Sequence, residues 1–254
     1  MRDSSSGLLP GRRVLITGGA NGIGAQVVRL FAAMGATGVV LDLPGAPSTN
    51  SVSGWSGIDA DVTDEGSVAN AVAVASDRLG GLDGVVAAAG IVPPWQRPSE
   101  LDLDVFDRVL AVNVRGVAAI IKHAAPVMGA GATITVVGSM NSWRGDPNIA
   151  AYVASKHAVL GIVRSAAIAL GSDGIRVNAV APGPIATAAL VARMRSRSAA
   201  TGLSVEDALA EAASGTALRR LATAEEVAHT IAFLTSYLSN GITGQLISVD
   251  GGIL

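Results

Sequence analysis

Short apolar runs alternate with longer stretches of helical periodicity along most of the chain. The run at 14–16 precedes a glycine-rich turn, and 23–34 has the spacing of a helix that ends at Gly35. Further strands are predicted at 38–41, closed by Asp42, and at 57–60, 84–88, 132–137, 176–181 and 246–249. Helices are predicted at 64–79, 104–128 and 151–170. Apolar strands in alternation with helices predict an α/β fold, a doubly wound parallel sheet of about seven strands covered by helices on both faces. From 188 to 221 the pattern stays helical but becomes more polar and less regular, as expected of a substrate lid.

Composition narrows the picture. Hydrophobic residues make up 50% of the 254 and aromatics only 3%, so the core rests on Ala, Val, Leu and Ile. The length suits a single domain over 11–254, with 1–10 as a flexible, Ser-rich lead-in. The formal net charge of -2, without any extended basic run, argues against nucleic-acid or membrane-surface partners. The absence of cysteine excludes disulfides and thiolate chemistry. No apolar stretch is read as reaching the ~18 residues that span a bilayer, and no hydrophobic signal region opens the chain. A cytoplasmic protein is expected. His123, His157 and His229 lack metal-ligand spacing, so no metal site is predicted, and His157 reads as a surface histidine.

The turn after the first strand reads Thr17-Gly18-Gly19-Ala20-Asn21-Gly22-Ile23-Gly24. Glycines between a strand and a helix permit close approach of backbone to a diphosphate, and the helix start supplies N–H donors. The G-x3-G-x-G spacing differs from the commoner G-x-G-x-x-G. Asp42 ends the second strand 18 residues after Gly24, where a carboxylate receives hydrogen bonds from the adenosine ribose. The same carboxylate repels a 2′-phosphate, and no Lys or Arg lies in 17–24 or just after Asp42. NAD is therefore predicted over NADP. Asp61 and Val62 close the next strand, in position to meet the adenine, although the pair alone carries no weight.

Tyr152 stands four residues before Lys156, in a chain with two tyrosines and two lysines. That spacing stacks both on one helix face. A phenol titrates near 10 in isolation, and a neighbouring ammonium favours its phenolate, moving it towards the working range of an acid/base catalyst. A solvated Tyr/Lys pair is the plain alternative. Ser139, at the C-terminal end of a predicted parallel strand, lies thirteen residues ahead of Tyr152 and is positioned to hydrogen-bond the same substrate oxygen. Asn113 sits within a predicted helix among Val109, Val112, Val114 and Val117, which draw it towards the interior, where it needs partners.

Together these residues resemble the short-chain dehydrogenase/reductase family over nearly the whole chain. The resemblance rests on the 17–24 loop, Asp61-Val62, Asn113, Ser139, Tyr152-x3-Lys156, Pro182-Gly183-Pro-Ile185-x-Thr187 and the terminal Val249-Asp250-Gly251-Gly252. It implies a Rossmann-type fold and a tetrad of Asn113, Ser139, Tyr152 and Lys156. In that reading Tyr152 is the general acid/base and Ser139 stabilises the reacting oxygen. Lys156 lowers the Tyr pKa and binds the nicotinamide ribose, while Asn113 holds a water of a proton relay. Gly18, Asn21, Gly22, Ile23, Gly24, Ala88, Ala89 and Gly90 are implied to contact the cofactor, as are Pro182, Gly183, Ile185 and Thr187 at its nicotinamide half. A homodimer or homotetramer is implied as well. One departure stands out: Ala87-Ala88-Ala89-Gly90 replaces the Asn-Asn-Ala-Gly frequent in the family, with altered local stability expected more than lost activity.

By the same analogy Trp95, Asn141 and Trp143 border the substrate cleft, although each Trp equally suits packing beneath its own loop. Arg193, Arg195 and Arg197 fall in the lid, for an anionic substrate group or, more commonly, a solvated face. The expected activity is NAD(H)-dependent interconversion of a secondary alcohol and a ketone. An NADPH-dependent 3-oxoacyl reductase of the same family and a non-enzymatic nucleotide-sensing regulator are the alternatives.

Overall fold

The computed structural model describes residues 7–47, 52–187, 190–192, 194, 195, 198 and 204–253. Its sheet has seven strands, all parallel, in the order β3-β2-β1-β4-β5-β6-β7. The strands are β1 Arg13–Thr17, β2 Thr37–Asp42, β3 Trp55–Asp59, β4 Leu82–Ala87, β5 Met128–Val137, β6 Arg176–Pro182 and β7 Leu246–Val249. The chain runs outward from β1 to β3 and then returns to add β4 on the other side of β1. The crevice above the C-terminal ends of β1 and β4 is therefore a topological switch point, the place where such sheets bind ligands.

Helices α1 (Gly22–Ala33) and α7 (Ala224–Thr235) cover one face, where Val27, Phe31 and Ile231 share a core with Val14, Ile16 and Val86. Helices α2 (Glu65–Leu79), α4 (Gly116–Ala124) and α5 (Ala150–Leu170) cover the other, through Val68, Ile120, Val159 and Val163. Local sequence sets the ends. Asp64 caps α2 by accepting from the backbone of Gly66 and Ser67, and Gly80 closes it at φ 71. Thr223 and Glu226 form a reciprocal capping box on α7.

Four expectations need correction. The helix read over 104–128 is α3 (Leu103–Leu110) and α4 separated by a π turn, Ala111–Arg115, centred on Asn113. Periodicity alone does not reveal the extra residue, which hydrogen bonds of the buried Asn113 accompany. Strand β5 starts at Met128, because glycine-rich 129–131 is extended although its composition reads as a turn. The flexible lead-in expected over 1–10 does not hold at Leu9, which is fully buried beside Phe31 and whose N–H donates to the Met34 carbonyl at 3.1 Å. Finally, Ala150–Asp173 is long and apolar enough to span a bilayer, with mean hydropathy 1.4 in its most apolar window. Interspersed Tyr, Ser, Lys and Arg mask that length in the sequence. Its Val159, Val163 and Ala167 are buried in the sheet's own core, and about a third of its most apolar window is buried. Within the stretch read as a lid, α6 (Val205–Ser214) is helical and capped by Ser204. Arg193 and Arg197 lie outside the described residues, and Arg195 is exposed.

Candidate active site

Two adjoining cavities, of about 660 Å³ and 780 Å³, open above the switch point and share Ile23, Ala88, Gly90, Ile91, Val137 and Thr187 in their walls. The larger holds the predicted nucleotide residues Gly18, Asn21, Gly22, Gly24, Asp42, Asp61, Val62 and Ala89. The smaller holds Ser139, Asn141, Tyr152, Lys156, Pro182, Gly183, Ile185 and Trp95.

The nucleotide side is shaped by missing side chains. A Cβ on Gly24 would lie 2.1 Å from the Gly18 carbonyl oxygen, and one on Gly18 would lie 2.7 Å from the Ala89 Cα. The loop is thus folded against its own helix and against the end of β4. Gly22, at φ +53, faces open space. Asn21 precedes α1 without capping any of its amides, and no acidic residue stands in the first turn. The first N–H groups of α1 therefore remain available to an anion at the cavity wall. Asp42 braces this loop: Oδ2 accepts from the Ala20 N–H at 2.9 Å and Oδ1 from that of Leu43 at 2.9 Å. Asp61 binds the backbone and hydroxyl of Thr63, and Val62 packs where α4 begins at Gly116. An uncapped helix start, a glycine cradle and a long double cavity fit a dinucleotide.

The Ala87–Gly90 segment keeps its place without amide side chains. The Thr17 carbonyl accepts from Ala88 N–H at 3.2 Å and Thr17 Oγ1 from Ala89 N–H at 3.2 Å. Thr17 therefore ties β1 to the end of β4.

On the smaller cavity, Lys156 is buried, and its ammonium donates to the Val137 carbonyl at 2.8 Å. It lies 5.5 Å from the centre of the Tyr152 ring. Burial pulls the lysine down to about 8, since a dry site penalises the charged form and no carboxylate among the described residues pairs with it. Ser139 is buried at the end of β5, with Oγ accepting from the Asn141 N–H at 3.1 Å. Asn113 is fully buried, and both its amide hydrogens are used, on the Ile91 carbonyl at 2.9 Å and on Ser155 Oγ at 3.0 Å. Its Oδ1 accepts from the Ile91 N–H at 2.8 Å. The side chain is thus a brace between the loop after β4 and α5.

Gly183 donates to the Val249 carbonyl at 3.1 Å, and a Cβ there would lie 2.9 Å from that of Asp250. The terminal Asp-Gly-Gly motif thereby supports the Pro182–Thr187 wall. Thr187 Oγ1 accepts from the Leu190 N–H at 3.3 Å.

Trp143 lines neither cavity and is 51% exposed, contrary to expectation. Its loop turns it outward while Asn141 and Ser142 are buried. Sequence reasoning also passed over Ile149, Leu190, Met194 and Asp146 in the smaller cavity and Arg108 in the larger. The i, i+4 spacing of Leu190 and Met194 was a usable signal; nothing local marks Asp146 or Arg108.

Fold and cavity define a doubly wound α/β protein whose cleft fits a dinucleotide. The family model described as enoyl-(acyl carrier protein) reductase matches residues 18–254. Short-chain dehydrogenase reductase 5 of Arabidopsis thaliana is 43% identical over 255 residues, 96% of this chain and 95% of that one. The (-)-isopiperitenol/(-)-carveol dehydrogenase of Mentha piperita is 40% identical, over 96% and 94%. Among solved structures, a short-chain dehydrogenase/reductase from Serratia marcescens superposes with TM-score 0.85 at 32% identity over 96% and 98%, and ligand-free aldohexose dehydrogenase from Thermoplasma acidophilum with 0.87 at 28% over 96% and 94%. The chain belongs to the short-chain dehydrogenase/reductase family, whose members use nicotinamide cofactors.

Proposed function

We propose that this protein is an NAD(H)-dependent oxidoreductase that interconverts an apolar secondary alcohol and its ketone, with Tyr152 as general acid/base. The observation that carries the reading is the meeting of Ser139, Tyr152 and Lys156 in one cavity that runs directly into the glycine cradle and Asp42. When bound, the dinucleotide supplies the hydride acceptor. Gly18, Asn21–Gly24, Asp42, Asp61, Val62, Ala88–Gly90, Pro182, Gly183, Ile185 and Thr187 hold it. The Ser139 and Tyr152 hydroxyls hydrogen-bond the substrate oxygen, and Tyr152 takes its proton during oxidation or returns one during reduction. Lys156 retains two N–H donors beyond the Val137 bond, enough to bind a ribose diol while its charge favours the Tyr152 phenolate. Since the Asn113 amide is spent on Ile91 and Ser155, a relay water at this residue rests on its carbonyl.

Ile91, Val92, Trp95, Met140, Ile149, Leu190 and Met194 give the smaller cavity an apolar wall, which suits a compact hydrocarbon skeleton around one polar carbon. The relative named for isopiperitenol and carveol agrees with that choice. Asp42 in the nucleotide cavity supports NAD. One observation favours NADP instead: Arg108 lines the same cavity. Comparison of kcat/KM for the two cofactors, with carveol and cyclohexanol as substrates, tests both. A clear NAD preference is expected; an NADP preference lost in Arg108→Ala overturns it. The dimer or tetramer expected of the family is tested by light scattering.

A further inference from the structure

The Tyr152–Lys156 turn holds another hydroxyl that the proposed chemistry does not use. Ser155 is fully buried. Its Oγ donates to the Tyr152 carbonyl at 2.7 Å, the back-bond usual for a serine inside a helix. The same oxygen accepts from Asn113 Nδ2 at 3.0 Å. Asn113 in turn grips both backbone groups of Ile91, at 2.8 and 2.9 Å. One unbroken chain therefore runs from the loop after β4, through the π turn, to the backbone of Tyr152. Ile91 and Tyr152, its two ends, both line the smaller cavity.

Packing alone does not require a hydroxyl here, because alanine would fill most of the same space. Alanine would, however, leave a buried Asn113 N–H without an acceptor. The groups around this chain are closely set. A Cβ on Gly90 would lie 3.2 Å from Asn113 Oδ1 and 3.8 Å from Lys156 Nζ, so amide, ammonium and cavity floor converge on one point.

We propose that Ser155 is a positioning residue: by holding the Asn113 amide, its hydroxyl sets the register of the Tyr152–Lys156 turn against the Gly90–Ile91 floor. The inference rests on the roles given above to Tyr152 and Lys156. It assigns the hydroxyl an effect on catalysis through placement, with no contact to substrate. Loss of the bond lets the π turn relax, admits water to the lysine and misaligns the acid/base pair.

The test compares Ser155→Ala, Ser155→Cys and Ser155→Thr in the full chain. Cysteine is nearly isosteric but a weak hydrogen-bonding group, so it reports on the hydroxyl should the alanine variant not fold. Three readouts apply: hydrogen exchange of the Ile91 amide, NMR titration of labelled lysine, and turnover of carveol with NAD. With two lysines in the chain, Lys122 on the exposed face of α4 is an internal reference. In the Ala and Cys variants Ile91 exchange is expected to rise roughly tenfold or more. The Lys156 midpoint is expected to rise by at least about half a pH unit as water reaches it. Turnover is expected to fall about tenfold in kcat with KM within about threefold, and Ser155→Thr to recover most of it. A lower Tm in the Ala and Cys variants with Ile91 exchange, the Lys156 midpoint and kcat all unchanged would overturn the proposal. Tyr152→Phe separates the two levels. If that variant keeps full turnover, the assigned chemistry is wrong. Exchange and titration judge the Ser155 brace without reference to turnover.

Discussion

The two halves of the cleft are built by opposite means. The nucleotide half is bounded by backbone and by absent side chains, with Gly24 folded onto the Gly18 carbonyl and Asp42 bound to the Ala20 amide. The substrate half is walled by large side chains from separate segments: Trp95 after β4, Met140 and Ile149 around the end of β5, Leu190 and Met194 beyond β6. A wall of close-packed backbone tolerates almost no added atom. A wall of side chains changes its shape with each substitution and leaves the frame intact. The family's shared cofactor and its many substrates are consistent with that division.

The contrast can be broken most severely at Gly24. A Cβ there would sit 2.1 Å from backbone oxygen, so Gly24→Ala forces the loop off its helix. We expect a loss of at least about 3 kcal/mol in stability and of measurable NAD binding, by thermal unfolding and calorimetry. Gly22→Ala, with positive φ but open space, is expected to cost only about 1 kcal/mol.

A second effect belongs to the junction of the halves. The buried Lys156 titrates at about 8 instead of its usual 10.5. Between those values the unfolded chain binds the proton that the folded protein releases, so stability rises with pH across this window. Below about 8 the cost of burying the charge is present in full, about 3 kcal/mol. Lys156→Met is expected to remove this rise, read from denaturant unfolding at pH 7, 8, 9 and 10. A wild-type curve without the rise would refute the burial argument.

Asp42→Ala is expected to weaken NAD about tenfold to a hundredfold, since it removes a ribose acceptor and frees the Ala20 amide, and to narrow the preference over NADP. Equal loss for both cofactors in calorimetry would mean that Asp42 serves only the loop. The smallest effects concern the substrate wall. Trp95→Ala is expected to raise KM for carveol by about tenfold, whereas Trp143→Ala, on the exposed side of its loop, changes it less than about twofold.

Much of this was legible in the chain, and unevenly so. The strands and their alternation with helices, the glycine loop, Asp42 and the Tyr152–Lys156 pair follow from local spacing and from elements whose periodicity is strong, whereas the strand order is a property of the folded sheet. The π turn at Asn113 did not, because one extra residue in a helix is imposed by tertiary hydrogen bonds to Ile91 and Ser155 that no local pattern encodes. Trp95 and Trp143 were indistinguishable as sequence; only the direction in which each loop leaves its strand separates them. Asp146 and Arg108 enter the cavities from segments without a motif. Ser155 adjoins Lys156, yet its weight comes from a partner 42 residues away.

The central claim is that Tyr152 handles the proton of a secondary alcohol while the adjoining cavity presents NAD. It is tested most directly by the turnover of Tyr152→Phe beside the wild type, with carveol and NAD, followed as NADH absorbance. The phenyl ring keeps the packing and the Lys156 contact but cannot exchange a proton. The account predicts a fall in kcat of about a thousandfold, with NAD affinity and Tm little changed. A variant that turns over as fast as the wild type would contradict it.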